Sequence, residues 1–143
     1  MMVVSKAATK WQGTLFEGSG RVNLVSSGAA DLPVDWKARS EGSDKTTTPE
    51  ELIAAAHSAC FAMAFSNALT EFGTPPTSVD VAASVGFKPG VGITGSALTV
   101  TASVPGISEQ DFQRIAAEAK SGCPVSVALS GIDITLQATL AQD

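Results

Sequence analysis

The sequence predicts an α+β domain, and three observations carry that prediction. Alternating apolar and polar residues, typical of half-buried strands, recur early in the chain, after position 78 and near its end. A long apolar segment between Glu51 and Glu71 has helix signals at both ends. A second segment, from Ser108 to about Lys120, has an N-cap residue and an apolar stripe. Strands interrupted by two helices are typical of this class, and we expect residues 1–143 to form one domain.

The N-terminal part of the chain predicts three strands. Residues 11–17 and 21–26 read as a hairpin, because the glycine-rich segment 18–20 separates them. Residues 34–40 are predicted to form the third strand. Residues 41–49, EGSDKTTTP, are polar and rich in turn formers, and this composition predicts a loop.

The longest helix is predicted from Thr48 to about residue 72. Thr48 is suited to the N-cap, Pro49 to the first helical position, and the two glutamates that follow to the positive end of the helix dipole. Gly73 is suited to end the helix. Because no charged residue lies between Glu51 and Glu71, this helix is apolar on all sides. We therefore expect it to be buried on all sides, as the central helix of the molecule.

The remaining elements follow from the same signals. Residues 78–88 and 93–104 are predicted strands, and a helix follows that begins at an N-cap at Ser108 and ends at Gly122. Cys123 precedes a possible short helix with proline at its first position. Alternating apolar residues at 132, 134, 136 and 138 predict a closing strand.

Composition excludes several classes of partner. The formal net charge is −5, which disfavours binding to nucleic acid or to anionic membranes. The N-terminal segment MMVVSKAATKWQG has neither an apolar core nor a cleavage pattern, so we expect no secretory signal and a cytoplasmic location. Structural disulfides are rare in the cytoplasm. The two cysteines are therefore expected to be either inert core residues or a redox pair.

The residues alone leave the roles of the two cysteines open. Cys60 lies in the middle of the apolar helix, where a small buried thiol without chemistry is a sufficient interpretation. Cys123 precedes a possible helix start, and a thiol at a helix N-terminus has a lowered pKa. Local electrostatics thus favour Cys123 as the more acidic thiol, since Cys60 would need a cation from elsewhere to ionise.

Three side chains are candidates for the group that activates Cys60: Arg39, Arg21 and His57. His57 lies three residues before Cys60, on the same helix face, so a Cys–His pair is possible. The alternative is a buried histidine that makes one hydrogen bond. A zinc site is a weak competitor, because the chain has neither a CxxC motif nor paired histidines.

Two motifs in this sequence resemble the OsmC/Ohr family of peroxide reductases. The first is TPEELIAAAHSACFAMAFS, residues 48–66, and the second is SGCPVS, residues 121–126, with the helix ISEQDFQRIAAEAKSGC ahead of it. The segments WQGTLFEGSGRV and ARSEGSDKTTTPEEL are similar to the OsmC branch. The resemblance covers nearly the whole chain in order and length.

The resemblance implies an OsmC-like fold, with antiparallel sheets wrapped around the central helix and two chains intertwined as a homodimer. It implies that Cys60 is the peroxidatic cysteine, that Cys123 is the resolving cysteine, and that Glu50 belongs to the site. The arginine of the OsmC branch corresponds to Arg39, with Arg21 as the runner-up. No metal or organic cofactor is implied.

The implied function is a thiol-dependent peroxidase in oxidative or osmotic stress defence. Its substrates would be organic hydroperoxides and, in some members, hydrogen peroxide, and its reductant an external dithiol such as a lipoylated protein. A disulfide-based redox sensor and a non-catalytic dimeric stress protein are the alternatives.

Helix geometry adds one expectation about the dimer. Glu50 and Cys60 are ten positions apart on one helix, a rise of about 15 Å and a rotation of about 80°. Glu50 therefore cannot reach the sulfur of its own helix. We expect each site to be completed by Glu50, together with Arg39, from the partner chain.

Overall fold

The computed structural model describes residues 1–141, which form two three-stranded sheets and four helices. The first sheet contains β1 (Ala8–Gln12), β2 (Ser19–Asn23) and β3 (Asp31–Val34), in that order and all antiparallel. The predicted hairpin exists, but its turn was wrong. It spans residues 13–18, because Gly13 leaves the strand with φ 93° and a Cβ on Gly18 would lie 2.4 Å from two carbonyl oxygens.

The strand predicted at residues 34–40 was also wrong. Only Val34 is in a strand, and Trp36–Glu41 forms the helix α1. The Asp35 carboxylate accepts a hydrogen bond of 2.7 Å from the Ala38 backbone N–H, which caps the helix. Gly42 ends it with φ 89°. The local cap therefore decided between helix and strand in a segment too short for periodicity to do so.

Helix α2, Pro49–Phe72, has the caps that the sequence predicted. The Thr48 side chain accepts a hydrogen bond from the Glu51 backbone N–H, and Gly73 is left-handed at the C-cap. One face is buried, at positions spaced by four or seven residues, and it consists of Glu50, His57, Phe61, Phe65 and Leu69. The expectation of burial on all sides was wrong within one chain, because other faces reach the surface and Met63 is 69% exposed.

The second sheet packs against α2. Strands β4 (Ser78–Lys88) and β5 (Gly92–Ser103) form an antiparallel hairpin, as predicted. The closing strand β6, Asp133–Leu140, is also confirmed, but it pairs with β5 in parallel. This sheet is therefore mixed rather than purely antiparallel, because the long connection between β5 and β6 crosses over the sheet.

That crossover contains helices α3 (Glu109–Gly122) and α4 (Pro124–Ala128). The Ser108 side chain caps α3 by accepting a hydrogen bond of 3.1 Å from the Asp111 backbone N–H, as predicted. The buried apolar residues of α2, α3 and β5 form one core: Phe61, Phe65, Leu69, Leu98, Val100, Ala102, Val104, Phe112, Ile115, Ala116, Ala119 and Cys123. The fold therefore brings Cys123 against the middle of α2.

Candidate active site

The two cysteine thiols meet where α4 begins and α2 is half complete. Their Sγ atoms are 2.9 Å apart, and both residues are free thiols. Cys123 is fully buried, whereas Cys60 is only partly buried. A disulfide needs an S–S distance of about 2.05 Å, so only a small shift of the sulfurs is needed for an oxidant to convert the two thiols into a disulfide. Of the two residues, Cys60 is the one that has surface exposed to solvent.

The environment makes Cys123 the more acidic thiol within one chain. Burial raises the pKa of the Cys60 thiol, and the hydrogen bond with Cys123 raises it further. Burial also acts to raise the pKa of Cys123, but the hydrogen bond between the two sulfurs and others from Ser126 and the Val125 backbone outweigh it. The net shift of the Cys123 pKa is downward, as expected for a thiol at a helix N-terminus.

The surroundings of His57 favour the buried-histidine interpretation over the possible Cys–His pair. Its Nδ1 lies 2.6 Å from the Ser96 Oγ, and its Nε2 lies 2.8 Å from the Ser126 Oγ. Both ring nitrogens are thus occupied by hydroxyl groups. The ring is fully buried, and this burial lowers the pKa of His57. His57 is therefore a neutral bridge with two hydrogen bonds, one more than the simpler interpretation expected.

Arg39 and Glu50 form a bidentate ion pair. Arg39 Nη2 lies 2.9 Å from Glu50 Oε2, and Arg39 Nε lies 3.0 Å from Glu50 Oε1. The Glu50 side chain is only 5% exposed, at the first turn of α2, where the helix dipole favours a carboxylate. The Arg39 guanidinium also lies 4.2 Å from the centre of the Phe87 ring. These contacts hold Arg39 in a fixed orientation, 31% exposed.

Arg21, the other candidate arginine, has different surroundings. Its Nε lies 2.8 Å from Asp31 Oδ1, and both side chains are 59% exposed. Exposed pairs of this kind contribute little to stability, typically about 0–1 kcal/mol. Arg21 therefore lies in an open surface pair, whereas Arg39 lies in a half-buried one beside aromatic rings.

Within one chain the four predicted site residues form two pairs. Cys60 contacts Cys123, and Arg39 contacts Glu50. Glu50 and Cys60 are separated by ten positions of one continuous helix, about 15 Å along its axis. The two pairs are therefore two halves of the predicted site at opposite ends of a helix segment.

A shallow groove runs beside Arg39. Its volume is about 220 Å³, and the residues around it come from β1, the first turn, the end of β3, α1 and the start of α2. Large apolar side chains form much of its wall: Trp11, Leu15, Val34 and Trp36. The Trp36 ring also packs edge-on against Phe16 and Phe87. The groove therefore places the Arg39 guanidinium beside an apolar surface.

The residues do not fit a zinc ion. Within residues 1–141, no three side chains of the histidine, cysteine, aspartate and glutamate types cluster as metal ligands. His57, the nitrogen ligand that a zinc site would need, has both ring nitrogens on serine hydroxyls.

Comparison with known proteins identifies relatives over nearly the whole chain. A family model described as OsmC-like protein matches residues 42–137. Peroxiredoxin OsmC of Escherichia coli (strain K12) is 42% identical over 139 residues, which cover 95% of this chain and 96% of the relative. Organic hydroperoxide resistance protein OhrA of Bacillus subtilis (strain 168) is 33% identical over 110 residues, 75% of this chain and 77% of the relative.

Solved structures share the fold. An OsmC-like protein from Mycoplasma pneumoniae aligns with a TM-score of 0.70 at 17% identity, covering 99% of this chain and 100% of that one. An organic hydroperoxide resistance protein from Elizabethkingia anophelis aligns with a TM-score of 0.67 at 24% identity, with complete coverage of both chains.

The fold and the paired thiols together define an α+β thiol protein of the peroxide-resistance class. The chain belongs to the OsmC-like family, and the resemblance seen in its sequence is confirmed.

Sequence reasoning did not identify two residues near the thiols, Ser96 and Ser126. They contact His57 from 39 and 69 positions away, a separation that no local pattern reports. The one available signal was indirect, since a histidine in an apolar helix needs polar partners once it is buried.

Proposed function

We propose that this chain is a peroxidase that reduces organic hydroperoxides in stress defence, with Cys60 as the nucleophile and Cys123 as the resolving cysteine. The observation that carries the proposal is the 2.9 Å contact between the two reduced sulfurs. The names of the relatives, a peroxiredoxin and organic hydroperoxide resistance proteins, support the same chemistry. We assign Cys60 as the nucleophile because it is only partly buried, whereas Cys123 is fully buried.

The reaction balances with these two thiols and one external reductant. The Cys60 thiolate attacks the distal oxygen of the peroxide, the O–O bond breaks, and the alkoxide leaves as an alcohol after taking a proton. Cys60 becomes a sulfenic acid. The Cys123 sulfur then attacks Cys60, and hydroxide leaves with the thiol proton as water while the disulfide forms. An external dithiol, for which a lipoylated protein is our proposal, returns both cysteines to thiols.

The proposed activity requires a cation near Cys60. Burial raises the pKa of this thiol within one chain, and only the thiolate is nucleophilic. Arg39 is the proposed cation, held by Glu50 in a bidentate pair. Glu50 lies ten helical positions, about 15 Å, from Cys60 of the same chain, so the pair is out of reach of the thiol in its own chain. We therefore assign Arg39 and Glu50 of a partner copy to each Cys60.

The exposed surface of α2 supports this homodimer. Within one chain only one face of α2 is buried, although the helix lacks charge between Glu51 and Glu71. By length and composition α2 would also suffice to cross a bilayer, a test that core helices of other proteins pass as well. A second copy of this chain would cover the remaining apolar faces and bring the groove beside Arg39 to Cys60. We propose that such dimers act in the cytoplasm.

The groove suits an organic substrate. A hydroperoxide has a polar –OOH end and an apolar body. The guanidinium of Arg39 would bind the oxygen atoms, and the tryptophan and leucine side chains beside it would bind the body. We expect cumene hydroperoxide to react faster than hydrogen peroxide for this reason.

The decisive experiment measures peroxide consumption with a dithiol reductant in wild type, Cys60→Ser and Cys123→Ser. We expect wild type to turn over. We expect Cys60→Ser to be inactive, and Cys123→Ser to complete one turnover and then accumulate oxidised Cys60. Equal consumption in all three proteins would refute the proposal. A disulfide that forms stoichiometrically in wild type without sustained turnover would identify a redox sensor instead. If Cys60 does not react at all, the protein is non-catalytic.

A further inference from the structure

Helices α2 and α4 are joined by two side-chain contacts. Cys60 meets Cys123 with 2.9 Å between the sulfurs, and His57 Nε2 meets Ser126 Oγ at 2.8 Å. On each helix the two participants are three positions apart, which is about one turn. The same two helices are therefore joined by two adjacent contacts: the Cys60–Cys123 contact between sulfurs and the polar His57–Ser126 contact.

The polar contact between His57 and Ser126 is extended by a second hydrogen bond, from His57 to the second sheet. His57 Nδ1 lies 2.6 Å from the Oγ of Ser96, which is on β5. The side chains of His57, Ser96 and Ser126 are all buried, that of His57 completely. A neutral imidazole donates a hydrogen bond at one nitrogen and accepts one at the other. His57 can therefore tie α4 to the sheet without placing a charge in the core.

Helix α4 depends on contacts of this kind. It has only five residues, Pro124–Ala128, and a helix of this length is not stable alone in water. Cys123 stands at its N-cap, and Val127 on the same helix is exposed. The position of the Cys123 sulfur is thus set by the side chains that attach α4 to its neighbours. Disulfide formation tolerates little error in that position.

We propose that His57, acting through Ser126, is a positioning residue for the resolving step, because it holds Cys123 at condensing distance from Cys60. The inference rests on the proposed function. In this step the S–H bond of Cys123 and the S–O bond of the Cys60 sulfenic acid break, an S–S bond forms, and water leaves. If α4 is loosened, the sulfenic acid at Cys60 waits longer and a second peroxide oxidises it to sulfinic acid.

The first test separates the two chemical steps in a single turnover with cumene hydroperoxide. Sulfenic acid at Cys60 is trapped with dimedone, and the disulfide is followed by mass spectrometry. In Ser126→Ala we expect sulfenic acid to form within twofold of the wild-type rate. We expect the disulfide to close roughly tenfold more slowly, since the buried hydrogen bond to His57 is lost. Ser126→Thr, which keeps the hydroxyl, should close the disulfide within threefold of wild type.

A second variant separates positioning from a direct effect of the serine on the sulfur. The Ser126 hydroxyl also hydrogen-bonds to Cys123, so Ser126→Ala changes two contacts. Ser96→Ala leaves that hydroxyl in place and removes only the tether of His57 to the sheet. We expect Ser96→Ala to slow disulfide closure as well, by severalfold. If Ser126→Ala slows closure while Ser96→Ala and His57→Gln do not, the inference is overturned.

A peroxide-free measurement keeps the inference testable if the proposed function fails. The equilibrium of the Cys60–Cys123 disulfide against a glutathione buffer gives the effective concentration of one thiol toward the other. We expect about a tenfold lower effective concentration in Ser126→Ala than in wild type or Ser126→Thr. Equal values in the three proteins would overturn the positioning role, whereas a wild type that forms the disulfide but consumes no peroxide would overturn the function alone.

Discussion

Replacing Arg39 with glutamine should slow the reaction of Cys60 with peroxide about a hundredfold, whereas Arg21→Gln should leave it within twofold. The two arginines are a matched pair, because each forms an ion pair with a carboxylate in the same chain. They differ in burial: the Arg39–Glu50 side chains are 31% and 5% exposed, and those of Arg21 and Asp31 are both 59% exposed.

The magnitudes follow from this difference. Removing one preorganised electrostatic group from an enclosed site typically lowers kcat by about 10²–10³, and the partial exposure of Arg39 favours the lower figure. For stability, an exposed pair contributes about 0–1 kcal/mol, and breaking a fully buried pair is destabilising by about 3–5 kcal/mol. We therefore expect Arg39→Gln to lower the free energy of unfolding by about 2 kcal/mol and Arg21→Gln by less than about 1 kcal/mol.

The assay is the second-order rate of Cys60 oxidation by cumene hydroperoxide, measured in the Cys123→Ser background so that a single thiol reports. Alkylation of Cys60 as a function of pH adds an independent readout. Burial raises the Cys60 pKa, and a nearby cation opposes that effect. Removal of Arg39 should therefore move the alkylation profile to higher pH. Arg39→Lys keeps the charge but loses the bidentate pair, so it should recover part of the pH shift and little of the rate.

Urea unfolding of every variant shows which loss belongs to folding and which to chemistry. A rate for Arg39→Gln within threefold of wild type, in a folded dimer, would refute the role assigned to Arg39. A large loss in Arg21→Gln instead would transfer that role to the first sheet. An unchanged alkylation profile in both would mean that neither arginine ionises Cys60.

Three further substitutions test the packing on which the site depends. Met63→Glu on the exposed face of α2 should dissociate the proposed dimer in sedimentation velocity and abolish turnover. Val91→Glu, at a residue that is equally exposed in one chain, should leave both the dimer and turnover intact. A monomeric but active Met63→Glu protein would contradict the shared site. Phe65→Ala should lower the free energy of unfolding by about 4 kcal/mol, because the ring is fully buried and has aromatic neighbours at 5.5 and 5.4 Å; urea unfolding with a loss below about 2 kcal/mol would show that the core refills. Ser108→Ala should lose about 1 kcal/mol, the usual contribution of an N-cap, while Ser108→Asp should stay near wild type.

The elements that the sequence predicted well are those whose signals are local. Thr48 and Ser108 are capping residues in the structure because each is followed by a helical run whose first N–H groups need an acceptor. The class of fold and the long strands β4 and β5 were predicted for the same reason, since alternation over eleven or twelve residues is unambiguous. The family resemblance then supplied the roles of the cysteines.

The predictions that were wrong concern short segments and contacts distant in sequence. Residues 34–40 alternate as a strand would, but one carboxylate at Asp35 caps a helix there. The bridge from His57 to Ser96 and Ser126 joins three separate elements, and sequence spacing carries no information about it. The residues proposed for catalysis, Cys60, Cys123, Arg39 and Glu50, remain predictions that the variants above test.

Three features of the single chain favour a second copy packed along α2. Cys60 is partly exposed, but its pKa is raised. Cys123 has a lowered pKa, but it is fully buried. Because the sulfurs share a hydrogen bond, the first proton lost belongs to the pair, and a nearby charge decides which sulfur becomes the thiolate. The cation that could favour Cys60 is Arg39 of α1, which is held by Glu50 in the first turn of α2, ten positions before Cys60. Helix α2 also has an apolar face that is exposed in one chain, where Met63 is 69% exposed. A second copy of the chain laid along α2 would cover that face and deliver its Arg39 to Cys60 in one step, so oligomeric state and thiol acidity should change together whenever α2 is altered.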